Sequence, residues 1–179
     1  ANIHTKAVRS GELRGQILGM AKTVFRAHLS GSNEVPAVTS FAHGMLLAEL
    51  MPDNELIVSG SFADLESKFA FRVAGGAHIH RAMAGSNGGV SFRLATSLRG
   101  SLNAGAFESS KNRFALSASD LTRLYNRGFY VNIHSLRNPG GELRGQLAPE
   151  SQIIFNAYLS SIFTNPSVTS TAVGTVIAE

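Results

Sequence analysis

Asn2-Ile-His and Gly11-Glu-Leu-Arg-Gly-Gln near the start of the chain return as Asn132-Ile-His and Gly141-Glu-Leu-Arg-Gly-Gln, an offset of 132 − 2 = 130. The same offset, without a gap, lays Phe25-Arg-Ala-His-Leu-Ser on Phe155-Asn-Ala-Tyr-Leu-Ser and Pro36-Ala-Val-Thr-Ser on Pro166-Ser-Val-Thr-Ser. Of the 179 − 130 = 49 aligned positions, 21 are identical, against roughly 3 for unrelated sequences of average composition. A period held to the residue marks modules in tandem. The expected organisation is the closing segment of one module over 1–20, a complete module over 25–148 and the opening segment of a third over 155–179. Connections as short as Ala148-Pro-Glu-Ser-Gln leave little freedom between such modules.

The 179 residues include 44% hydrophobic and 16% charged, which suits one packed core and excludes a disordered chain or a coiled coil. No apolar stretch reaches the roughly 18–20 residues of a membrane helix, and the opening residues lack a signal-peptide core, so a soluble chain with no membrane insertion is expected. The net charge of +4 comes from arginines scattered singly, so no nucleic-acid partner is expected. The absence of Cys excludes a disulfide scaffold, a thiolate metal site and a Cys nucleophile.

Short alternating or apolar runs separated by turn residues dominate the central module. Strands are expected at 25–30, 44–50, 55–62, 77–81, 90–94, 129–135 and 142–147. Their spacing points to an all-β fold, an antiparallel Greek-key-like β-sandwich. One segment departs from the pattern: Ser117 or Asp120 as a cap, apolar Leu121, Leu124 and Tyr125, and Gly128 just beyond predict a single short helix.

Chemistry concentrates in His78-Ile-His80. Residues two apart on a strand share a face, so both imidazoles project together, and His134 on a second strand offers a third nitrogen. Three histidines with an open position suit zinc or copper. The competing reading is a polar cluster in which the rings hydrogen-bond to carboxylates and backbone. Glu142, Arg144 and Gln146 fall on one face of a strand, with Leu143 and Leu147 on the other, and form a structural polar network able to hold the histidines. A Glu142–Arg144 pair lowers the carboxyl pKa, the wrong direction for proton donation, so no catalytic residue is assigned. No nucleophile elbow, P-loop, dinucleotide fingerprint or HExxH motif occurs. Asn165-Pro-Ser fails the N-glycosylation rule, whereas Val38-Thr-Ser and Ser167-Val-Thr-Ser-Thr are candidate carriers of O-linked glycans on composition alone.

Taken in order, Phe25-x-Ala-x-Leu-Ser-Gly-Ser-Asn-Glu-Val-Pro-Ala-Val, Ala77-His-Ile-His, Asn87-Gly-Gly-Val, Tyr130-Val-Asn-Ile-His and Gly141-Glu-Leu-Arg-Gly-Gln-Leu resemble the chordin-type (CHRD) domain over nearly all of 25–147. The resemblance implies a secreted or cell-surface β-rich module, often in tandem, with no established catalytic role for His78, His80, Asn132 or His134. Growth-factor binding belongs to separate cysteine-rich domains and does not transfer to a chain without Cys. The third segment departs from the family by reading Asn165-Pro where the signature has Asn-Glu-Val-Pro.

The leading expectation is an extracellular, non-enzymatic structural protein without a cofactor. Its partial modules would pair with neighbouring copies of itself through Ile3, Leu13 and Ile17 at one end and Ile153, Phe155, Tyr158 and Leu159 at the other. The alternatives are a zinc or copper module built on His78, His80 and His134, and an adhesive or ligand-binding secreted domain.

Overall fold

Alternation decides the central strands. In Thr23–Ser30 the side chains of Phe25, Ala27 and Leu29 are buried while Arg26 and His28 turn outward, the period of two that a half-buried strand requires. The structure, a computed structural model, describes residues 21–150 throughout, together with 2–3, 5–6, 9–10, 13–14, 155–160 and 173–178. Its strands are β1 (Asn2–Ile3), β2 (Leu13–Arg14), β3 (Thr23–Ser30), β4 (His43–Leu50), β5 (Glu55–Ala63), β6 (Ala77–Arg81), β7 (Val90–Arg93) and β8 (Thr96–Arg99). They continue with β9 (Ala104–Phe107), β10 (Arg113–Ala115), β11 (Phe129–Ile133), β12 (Leu143–Gln146), β13 (Ala148–Pro149), β14 (Phe155–Ser160) and β15 (Val173–Ala178).

Nine strands hydrogen-bond in the order β7-β6-β11-β12-β3-β4-β5-β9-β8, with β10 added to β5 and β13 to β3. Every pairing among them is antiparallel. The two strands at the ends of this path are neighbours in sequence, with only Leu94 and Ala95 between them. A link from Arg93 to Thr96 spans at most about 11 Å, so the sheet curls until its edges approach each other. Inside the curl lie Phe25, Leu46, Leu56, Val58, Ile79, Phe107, Phe129, Val131, Ile133, Leu143 and Leu147. The expected all-β antiparallel fold with one short helix is present. The expected division into two sandwich layers is not what the pairing draws: one continuous half-barrel replaces it, because the corner at Leu94-Ala95 bends a single sheet back on itself.

Asn112, fully buried, secures that corner. Its Nδ2 donates to the carbonyls of Ala95 (2.9 Å) and Glu108 (3.0 Å), and its Oδ1 accepts from the Ala95 N–H (2.8 Å). The helix α1 (Ala118–Tyr125) starts at Ser117, which forms a reciprocal capping box with Asp120. Leu124 is buried, and Tyr125 lays its ring edge on Phe25. The left-handed residue that ends the helix is Arg127 (φ 57°), one position before Gly128, whose N–H returns to the Arg123 carbonyl at 2.8 Å.

The hairpins outside the central sheet keep the register of their counterparts within it. Asn2 pairs with Arg14 and Ile3 with Leu13, as Asn132 pairs with Arg144 and Ile133 with Leu143. Phe155 pairs with Ala178 and Ser160 with Val173, as Phe25 pairs with Ala48 and Ser30 with His43.

Candidate metal centre

On β6, Ala77 and Ile79 enter the core, so His78 and His80 project from the opposite face of the sheet. On β11, Phe129, Val131 and Ile133 fill the core while Tyr130 and Asn132 share the face of the histidines. On β12, Leu143 faces the core, and Arg144 and Gln146 face away from it. Cross-strand register arranges these residues in rows: Arg93, His78, Asn132, Arg144 and Ser30 form one, and His80, Tyr130 and Gln146 the next. A register shift between Ile79 and His80 leaves Ser91 as an extra residue on β7, a bulge of the kind that re-aims a neighbouring side chain.

His134 follows β11 and joins this face. One ring nitrogen from each of His78, His80 and His134 lies within 4.8 Å of the others. His134 Nδ1 donates to the Pro139 carbonyl (2.9 Å) and His80 Nδ1 to the Gly88 carbonyl (2.7 Å). A carbonyl only accepts, so both rings carry their proton on Nδ1 and present a bare Nε2. His134 Nε2 lies 3.0 Å from His78 Nε2. His80 Nε2 is buried without a hydrogen bond, whereas the His78 ring also faces the Ala74 backbone.

Burial sets the protonation of the cluster. His78 is 1% exposed and its pKa falls to about 4, chiefly through loss of hydration and then through the neighbouring imidazoles of His134 and His80. The pKa values of His80 and His134 are lowered as well, again first by desolvation. Three neutral, converging imidazoles, those of His80 and His134 oriented through Nδ1 by backbone carbonyls, are the donor set that zinc or copper takes. The expectation of a chain without a cofactor is therefore corrected: the clustered triad is a plausible metal-binding site, which separated histidines would not be.

Arg144 and Gln146 support the site indirectly, by holding residues 82–88 across the polar face. The Arg144 guanidinium sits 3.6 Å from the centre of the Tyr130 ring and donates to Asn87 Oδ1 (2.9 Å) and the Ser86 carbonyl (2.6 Å). Gln146 Nε2 donates to the Ala82 carbonyl (2.9 Å) and to that of Arg127. Tyr130 stacks on His80 at 4.7 Å and 4°, and its hydroxyl accepts from Gly88 N–H (3.2 Å). Glu142 goes elsewhere: its Oε1 accepts from Ser40 Oγ (2.7 Å) and the Glu66 N–H (2.8 Å).

The acid that senses Arg144 is Glu34 of Asn33-Glu-Val-Pro, a residue whose spacing in the sequence carries no sign of this role. Desolvation raises its pKa to about 8 against the opposing pull of Arg144. Gly141 (φ 135°) makes room for it: a Cβ there would stand 2.5 Å from Glu34 Oε1 and 2.6 Å from Asn132 Oδ1. Of the expected joining residues, Ile3, Leu13, Phe155, Tyr158 and Leu159 lie in strands for which only the backbone pairing is described, and Ile17 and Ile153 lie outside the described residues.

The molecule is thus a β-rich module: a curled antiparallel sheet carrying a buried histidine cluster under a loop held by Arg144 and Gln146. The chain belongs to the CHRD domain family, whose model matches one region, residues 25–147. CHRD domains are non-catalytic structural or binding modules, typically extracellular, which agrees with the expectation that the chain is not an enzyme. No curated protein and no solved structure matches the chain. Among the described residues, no helix is long and apolar enough to cross a membrane.

Proposed function

We propose that this CHRD module is an extracellular metal-binding protein in which His78, His80 and His134 hold zinc or copper. The observation that carries the reading is the convergence of three neutral imidazoles, two of which, His80 and His134, hold their proton on Nδ1 and present a bare Nε2. An all-nitrogen set favours zinc or copper over calcium or magnesium, which prefer oxygen donors. A bound ion would link β6 to the end of β11 and, through Gly88 and Pro139, fix the two loops that accept the Nδ1 protons. Metal analysis of untagged protein after equilibration and dialysis tests the reading. Zinc or copper near one per chain, lost in the triple His→Ala variant, is expected; a metal-free wild type overturns it.

A second reading assigns residues 1–20 and 155–179 to neighbouring module copies that join edge to edge into an array. It draws on the two outer hairpins, which keep at an offset of 130 the pairings Asn132–Arg144 and Phe25–Ala48 of the central module. Sedimentation over a range of concentrations tests it: concentration-dependent association supports the array, and a strictly monomeric chain at high concentration removes it.

A further inference from the structure

The metal reading leaves a charge unbalanced. Histidine ligands are neutral, and among the described residues no carboxylate or thiolate belongs to the cluster. The charged side chains that act on the three rings are both cations: Arg93 acts on His78 and Arg144 on His80. Arg93 stands directly opposite His78 in the antiparallel β6–β7 pair, so the two side chains share a face. Arg144 lies behind Tyr130, whose ring stacks on His80. The acid next to Arg144 is Glu34, whose pKa burial raises to about 8, which weakens its countercharge at neutral pH.

A divalent ion would add two positive charges to this desolvated, already positive place, and an uncompensated buried charge is strongly unfavourable. We infer that the metal-loaded site takes a small monovalent anion as its remaining ligand, drawn in by Arg93 and Arg144. The inference rests on the metal reading above and extends it to a ligand. Burial favours a small ion: His78 and His134 are 1% and 4% exposed, and His80 Nε2 is buried without a hydrogen bond. Arg93 is exposed on β7 and makes the charge contribution separable from the packing of the fold.

Cobalt(II) loaded into the full chain, titrated with azide and followed by the visible spectrum, tests the inference. Saturable band shifts are expected, with acetate competing. Arg93→Gln should retain one cobalt per chain yet weaken azide about three- to tenfold, the size of one partly screened charge at this range; Arg93→Lys should restore binding. Cobalt bound at one per chain with a spectrum unmoved by excess azide overturns the anion site alone, as does an Arg93→Gln variant with unchanged azide affinity. A chain that takes up no cobalt removes the metal reading together with this inference.

Discussion

His78 and His134 meet Nε2 to Nε2 at 3.0 Å across the face that β6 and the end of β11 share. His134 has committed its own proton to the Pro139 carbonyl. A metal ion held there would take the bare His134 Nε2 as a ligand, with the Ala74 and Pro139 backbone contacts orienting the two rings.

Removing one ligand should therefore be costly. His134→Ala is expected to weaken zinc by more than the roughly 10–100-fold that outer partners of a metal site are worth. Competition with a chromophoric chelator measures this. Retention of wild-type affinity in His134→Ala would exclude the three-histidine site.

Acid should unfold the metal-free protein through the same cluster. The folded-state pKa of His78 is lowered from 6.5 to about 4, so the unfolded chain binds the extra proton between those values. Stability is thus lost as pH falls through that window, by about 3 kcal/mol from His78, and His80 and His134 act in the same direction. Urea unfolding at several pH values, with saturating zinc as the comparison, checks the slope.

Glu34 works in the opposite sense. Its pKa is raised from 4.5 to about 8, so its contribution is present in acid and declines as pH rises toward 8. Between 4.5 and 6.5 it offsets the histidines; from 6.5 to 8 it alone should cost about 2 kcal/mol. Glu34→Gln should flatten the alkaline side and expose the acid limb undiluted, both visible in melting temperature against pH.

At the corner, Asn112→Ala leaves the Ala95 N–H and C=O and the Glu108 carbonyl without their partner. A loss of about 2–4 kcal/mol is expected from chemical denaturation. A change under half a kilocalorie would mean that water replaces the amide, contrary to the burial of Asn112.

The site was largely legible in the sequence because a strand's period of two is exact enough to put His78 and His80 on one face, and Ala77-His-Ile-His-Arg coincides with β6 in full. The proximity of His134 depends on which strands neighbour each other, and only the register Asn132–His78 supplies it. The strands β8, β9 and β10 left no trace in the periodicity. Thr96-Ser-Leu-Arg, Ala104-Gly-Ala-Phe and Arg113-Phe-Ala are too short and too mixed, and pairing to β5 and β9 creates them. Which partners Glu142 and Arg144 take is invisible for a related reason: two residues adjacent on one face reach different loops, Ser40 and Glu66 for one and residues 86–87 for the other, and the sequence does not say which loops fold over them.

The seam at Leu94-Ala95 has a mechanical meaning. Because the first and last strands of the sheet are successive lengths of one backbone, the half-barrel is fastened by covalent bonds at the place where an open sheet would fray. A protease nick or a circular permutation that places new termini there would release both edge strands at once, whereas the same cut in an exposed turn such as 85–86 would release neither.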